Sequence, residues 1–181
     1  MNMPVLPSAL RALIILVVSA LSTVATAQTS VVTYSDPAGR FTLTHPATWE
    51  SSGHGGQLEL YGDGVSLHMH FIVHPIEALP EGLAKDDPEK LAEVMLEGML
   101  ADHRDVERVG LETTTLADRA MIRIQFRGVS TRPVTLPRQG ALYVATTDAH
   151  FVSASYSAPE SAHEELLPKI KAVLESFTLT D

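Results

Sequence analysis

Residues 57–73, QLELYGDGVSLHMHFIV, decide the fold. Apolar and polar residues alternate along them, the pattern of a half-buried strand. At the centre stands Asp63-Gly64, a dipeptide that tolerates the positive φ angles of a tight type I′ turn. If those two residues form the whole loop, paired positions sum to 127. Leu58 then faces Met69, Leu60 faces Leu67, Glu59 faces His68 and Gln57 faces His70. A loop one residue longer would set Leu58 against His68 and mix the faces, so the binary pattern selects the two-residue turn. Leu58, Leu60, Val65, Leu67, Met69, Phe71 and Val73 make one apolar face, and the other face is mostly polar.

The same reasoning extends along the chain. Residues 109–116 and 119–127 pair about Ala117-Asp118 with positions summing to 235, which groups Val109, Leu111, Ile122, Ile124 and Phe126 and sets Glu112 opposite Arg123. Residues 31–34 and 40–45 flank the turn formers 35–39 and read as a further hairpin. A last pair, 141–145 and 151–156, joins around Asp148. Residues 132–138, with Pro133 and Pro137, read as a loop.

Two segments have helical spacing. Asp87 can cap a helix with Pro88 at its first position and Glu89 in its first turn. Leu91, Val94, Met95 and Met99 form its buried stripe, which runs to about Arg104. Near the C-terminus Leu166, Ile170, Val173, Leu174 and Phe177 keep the period. Pro168 falls inside that register and would delete a backbone hydrogen bond, so the regular helix is expected to start near it, with 159–167 as a separate turn or short helix. Trp49 and Tyr34 are expected to pack the core.

The chain opens with a short basic lead ending at Arg11, an apolar run over residues 12–21, and Ala25-Thr26-Ala27 before Gln28. That order is a secretory signal peptide over residues 1–27. The apolar run falls well short of the roughly 20 residues that a spanning helix needs. Export to the periplasm or beyond the cell is the expected address. Removing 27 of 181 residues leaves 154, a length that suits one domain, residues 28–181. Of the 13 basic and 22 acidic residues the leader holds only Arg11, so the mature charge is −10. A nucleic acid partner does not fit that charge. There is no cysteine. The chain therefore holds together by packing, and thiol chemistry is excluded.

Tyr34, the run Gly39-Arg40-Phe41-Thr42-Leu43-Thr44-His45-Pro46 and Trp49 resemble the opening of PsbP-like domains. The close, Tyr156-Ser157-Ala158-Pro159 and a helix ending in Ser176-Phe177, resembles theirs too. The resemblance, which extends to DcrB-like exported proteins, implies an α+β fold with an antiparallel sheet and helices on its faces. It also implies an accessory or binding role without a known active site. His45 departs from the pattern, since an aromatic often precedes that proline.

Two constellations remain as candidate sites. His68 and His70 share a strand face about 7 Å apart at the α carbons, close enough to share an ion. The register adds Glu59 across from His68, and His54 in Gly53-His54-Gly55-Gly56 is a candidate fourth ligand. Such a set suits zinc or copper, and a solvated polar face is the competing account. The second constellation is Arg119, Arg123, Arg127, Arg132 and Arg138, with no acidic residue between positions 119 and 138. It is a candidate surface for a small anionic ligand or an envelope protein. Arg119, Arg123 and Arg127 share strand parity, while Glu112 across from Arg123 argues for an ordinary charged face.

Catalytic motifs are absent: no Gly-x-Ser-x-Gly elbow, no His-Glu-x-x-His helix and no phosphate-binding glycine loop. A Ser-His-Asp set assembled from distant positions stays open. The expected function is that of an exported, non-enzymatic accessory or binding protein, with a divalent-metal protein or metal-dependent enzyme as the alternative.

Overall fold

A computed structural model describes residues 30–64, 66–79, 82, 83 and 85–180. The leader, its cleavage site and Val65 lie outside the described residues. The strands are β1 (Val31–Ser35), β2 (Phe41–Pro46), β3 (Glu50–His54), β4 (Gln57–Gly62), β5 (Leu67–Pro75), β6 (His103–Leu116), β7 (Arg119–Ser130), β8 (Leu136–Thr146), β9 (His150–Pro159) and β10 (Thr178–Leu179). The α-helices are α1 (Pro88–Met99) and α2 (His163–Ser176). Seven strands form one antiparallel sheet in the order β3-β4-β5-β9-β8-β7-β6, and β1-β2-β10 form a second.

Each face of the large sheet has its own core. On one face Leu58, Leu60, Met69 and Phe71 are fully buried beneath α2 and the small sheet, together with Phe41 and Phe177 and the nearly buried Trp49. The Phe177 ring sits 5.5 Å from Phe41 and 5.2 Å from Phe71. The other core joins Leu91, Ala92 and Leu96 of α1 to Ile122, Ile124, Phe126, Leu142 and Val144 of β7 and β8. Helix α1 therefore lies over one half of that face.

The register at residues 57–73 corrects the sequence reading by two places. Leu60 pairs with Met69, Glu59 with His70 and Tyr61 with His68, and pairing closes at Gly62 and Leu67. The tip is held from outside rather than by its own shortest turn. Lys169 of α2 pairs with the Asp63 carboxylate at 2.9 Å, and Arg138 of β8 donates to the Ser66 carbonyl at 2.8 Å. Because side chains alternate with period two, an even slip leaves every residue on its expected face. At the next hairpin the pairing does sum to 235 from Leu116 and Arg119 back to Gly110 and Gln125. Ala117 and Asp118 both have positive φ there. Beyond that point a bulge intervenes. Val109 and Leu111 of the edge strand β6 stay 48% and 41% exposed, and α1 meets that strand through the Glu93–Arg108 ion pair at 3.0 Å.

Both helices differ from expectation. The Asp87 side chain accepts from the Lys90 amide at 3.0 Å as a cap, but α1 stops at Met99 and His103 already belongs to β6. Its buried residues are Leu91, Ala92 and Leu96, whereas Val94 is exposed. Helix α2 runs through Pro168 from His163, after a short 3-10 turn at Glu160–Ala162. Burial of Leu166, Ile170, Val173 and Leu174 outweighs the one hydrogen bond that the proline removes. Pro137 and Arg138, expected in a loop, belong to β8.

Candidate functional site

Helix α1 rests on β7 and β8, and beside it, among the described residues, no α-helix covers the same sheet face over β4, β5 and β9. Period-two alternation sends Tyr61 of β4, His68 and His70 of β5, and Ser153, Ser155 and Ser157 of β9 to that side. They line a cavity of about 760 Å³ whose opposite wall comes from Met95, Met99 and Leu100 at the end of α1. Cavities of several hundred Å³ with an apolar wall and a few convergent polar groups are the usual form of small-molecule sites.

The polar wall is ordered by strand pairing. Ser157 is opposite His68 and Ser155 is opposite His70. The Tyr61 and His68 rings stack at 4.9 Å, and the His68 and His70 rings follow at 6.3 Å. The Nε2 atoms of His68 and His70 are buried without a hydrogen-bond partner, as are both ring nitrogens of His103. Burial pushes the His68 and His70 imidazoles below the ordinary histidine value, against the pull of Glu59. His103 is lowered by burial first and then by the Arg138 charge.

Arg138 enters this wall from β8. Its Nε donates to Ser157 Oγ at 2.7 Å, and Nη2 donates to the Ser157 carbonyl at 2.7 Å and to the Ser66 carbonyl at 2.8 Å. No carboxylate among the described residues pairs with it. Leaving a half-buried guanidinium without a counter-charge is costly unless something else compensates it.

The expected metal set is not brought together. Glu59 stands opposite His70, not His68, and its carboxylate accepts from the Tyr61 hydroxyl at 2.8 Å. His54 is exposed, opposite Gln57 at the end of β3. Gln57 in turn contacts His74 Nε2 at 2.9 Å. Among the described residues no three His, Cys, Asp or Glu side chains are grouped to hold a metal ion. The arginine set is divided as well. Arg119, Arg123 and Arg127 share the sheet face opposite the cavity, where Arg123 pairs with Glu112 and lies 5.7 Å from the Tyr143 ring centre. Arg132, in the loop before β8, lines the cavity with Arg138 and reaches Asp102 at 3.7 Å. Arg138 alone of the strand arginines faces the histidines.

His103 and the three serines carried no role in the sequence reading. One signal was present. Ser153, Ser155 and Ser157 alternate with Val152, Ala154 and Tyr156 on a central strand, where both faces are ordinarily apolar when covered. Small polar residues at every second place mark a face turned to a cavity.

No family model matches the chain, and no curated protein matches it. Solved structures do. The solution structure of cyanobacterial PsbP (CyanoP) from Synechocystis sp. PCC 6803 aligns with a TM-score of 0.58 at 14% identity, over 86% of this chain and 96% of that one. The Saccharomyces cerevisiae Ran-binding protein Mog1p aligns at 0.55 and 9% identity, over 84% and 97%. LpqN, involved in cell envelope biogenesis of Mycobacterium tuberculosis, aligns at 0.52 and 15% identity, over 84% and 91%. Identities this low speak to architecture and leave activity aside. Among the described residues no helix is long and apolar enough to cross a membrane. By its sheet order and by these likenesses, the protein has the PsbP-like α+β fold.

Proposed function

We propose that this chain is an exported, non-catalytic binding protein of the cell envelope, and that it holds a small molecule in the cavity between α1 and the β5-β9 half of the sheet. One observation carries the reading: imidazole nitrogens of three histidines are buried without partners around a single cavity. A buried polar atom left unpaired costs about 1–3 kcal/mol. Three such residues at one place are what a site preorganised for a ligand's polar atoms requires. The leader supports export. The fold neighbours are described as a Ran-binding protein and as a protein of envelope biogenesis, which fits an accessory role better than a catalytic one.

The test uses the mature chain and a neutral fluorescent probe, N-phenyl-1-naphthylamine. Gly98 is an exposed residue of the cavity lining, and a β carbon built there meets nothing within 4 Å. Gly98→Phe therefore plugs the site without disturbing the sheet. Saturable binding of one probe per chain, abolished in Gly98→Phe at an unchanged melting temperature, supports the proposal. No probe binding, or equal binding by the plugged variant, overturns it.

A further inference from the structure

The two walls of the cavity differ in chemistry, and the difference specifies what fits. Met95, Met99 and Leu100 at the end of α1, with Ile72, Phe126 and Leu142 on the sheet floor, give a lining that favours an apolar chain or ring. Methionine gives such a wall the adaptability of an unbranched, polarisable side chain. At the other side stands the Arg138 guanidinium, fixed at its Nε and Nη2 by Ser157 and Ser66. Its Nη1 makes no hydrogen bond within the described chain. His68 lies across from Ser157 on the neighbouring strand, and His103 also lines the cavity.

The charges nearby do not cancel the arginine. The Glu59 carboxylate accepts from the Tyr61 hydroxyl and acts on His68 and His70, Asp102 lies beside Arg132, and burial alone shifts Arg138. Arg138 itself disfavours protonation of His68 and His103. A fixed guanidinium beside uncharged imidazoles puts N–H donors around one cavity, as an anion's oxygens require.

We infer that the cavity binds an amphipathic organic anion, its carboxylate or phosphate oxygens held by Arg138 with His68 and His103, and its apolar part lying along Met95, Met99 and Leu100. The inference rests on the cavity being a ligand site and adds the class of ligand. A neutral sugar or a quaternary amine of equal size leaves the guanidinium uncompensated. A small inorganic anion leaves the apolar wall wet.

Displacement of N-phenyl-1-naphthylamine separates the alternatives, with decanoate, decyl phosphate, decanol and decyltrimethylammonium as competitors and inorganic phosphate alone as a further arm. A charge-assisted hydrogen bond contributes roughly 1.5–3 kcal/mol, so an anion should displace the probe at a concentration at least about tenfold lower than decanol does. Decanoate and decyl phosphate distinguish the two head groups within the claim. Arg138→Gln should erase the preference while leaving probe and decanol binding in place. Arg138→Lys should keep part of it and guards against a folding defect in the first variant. Equal displacement by decanol, tighter binding of the ammonium compound, or an anion preference that survives Arg138→Gln in a folded protein overturns the inference while the cavity reading stands. Absence of probe binding is the separate failure that removes the cavity reading itself.

Discussion

Replacing His70 with leucine makes the ligand-free protein more stable. The His70 side chain lies on the interior strand β5, with its Nε2 buried and unpartnered. An unsatisfied buried group costs about 1–3 kcal/mol. The substitution gives up a ring stacked 6.3 Å from His68 and the attraction of Glu59, which together offset a fraction of that gain. A net stabilisation of about 1 kcal/mol at pH 8 follows, which for a domain of this size raises Tm by roughly 2–4 °C. The gain grows in acid. In the folded chain burial lowers the His70 pKa from the ordinary 6.5, so between the lowered value and 6.5 the unfolded state holds more protons. Wild-type stability therefore falls as pH drops through that window and is unaffected by this group above it. His68 on the same face, lowered chiefly by burial, acts in the same sense. Glu59 and His74 shift the His70 value in opposite directions and do not change its sign. Urea unfolding at pH 8 and at pH 5.5 checks the argument, with the difference between His70→Leu and wild type larger at the lower pH. A loss of 1 kcal/mol or more at pH 8 would refute it, because the imidazole would then have an internal partner that the variant removes.

Two further outcomes follow from the same geometry. A β carbon on Gly140 would meet the Tyr156 carbonyl oxygen and stand 2.8 Å from the Phe126 ring. Gly140→Ala should cost about 1–3 kcal/mol in thermal unfolding, with part restored by adding Phe126→Leu. Zinc or copper should raise the melting temperature of wild type no more than that of a His68→Leu, His70→Leu variant, since ligands that bind the native state must stabilise it. A metal-dependent rise confined to wild type in calorimetry would revive the His-x-His site.

Much of the architecture was legible because alternation fixes faces more firmly than it fixes partners. The pairing at Asp63-Gly64 is two places away from the tightest hairpin, yet Leu58, Leu60, Met69 and Phe71 are buried and His68 and His70 share the other side. What moved was the neighbour of each histidine, and with it the Glu59-His68 pairing on which the metal set was built. Lys169 and Arg138 are more than 70 positions from the loop they hold, and no local pattern announces such contacts. The stripe of α1 was legible apart from Val94: Leu91 is buried with Ala92 and Leu96 on β7 and β8, while Met95 and Met99 pack partly buried against that core and also line the cavity.

The arginines show why a linear cluster is weak evidence for a surface. Between positions 119 and 138 the chain makes a strand, a turn and the start of a second strand, so adjacency in sequence says nothing about which face a residue meets. Arg123 is neutralised by Glu112, as a charged strand pair ordinarily is, whereas Arg138, the last of the five, crosses to the side where no carboxylate pairs with it. Arg138 thus carries an electrostatic demand that no carboxylate among the described residues meets. That demand coincides with orphaned imidazoles, alternate serines on β9 and an apolar wall at the end of α1. A protein selected for stability alone would have replaced these groups with packed hydrocarbon. Their retention around one cavity is accounted for if a ligand's oxygens and apolar chain complete the site.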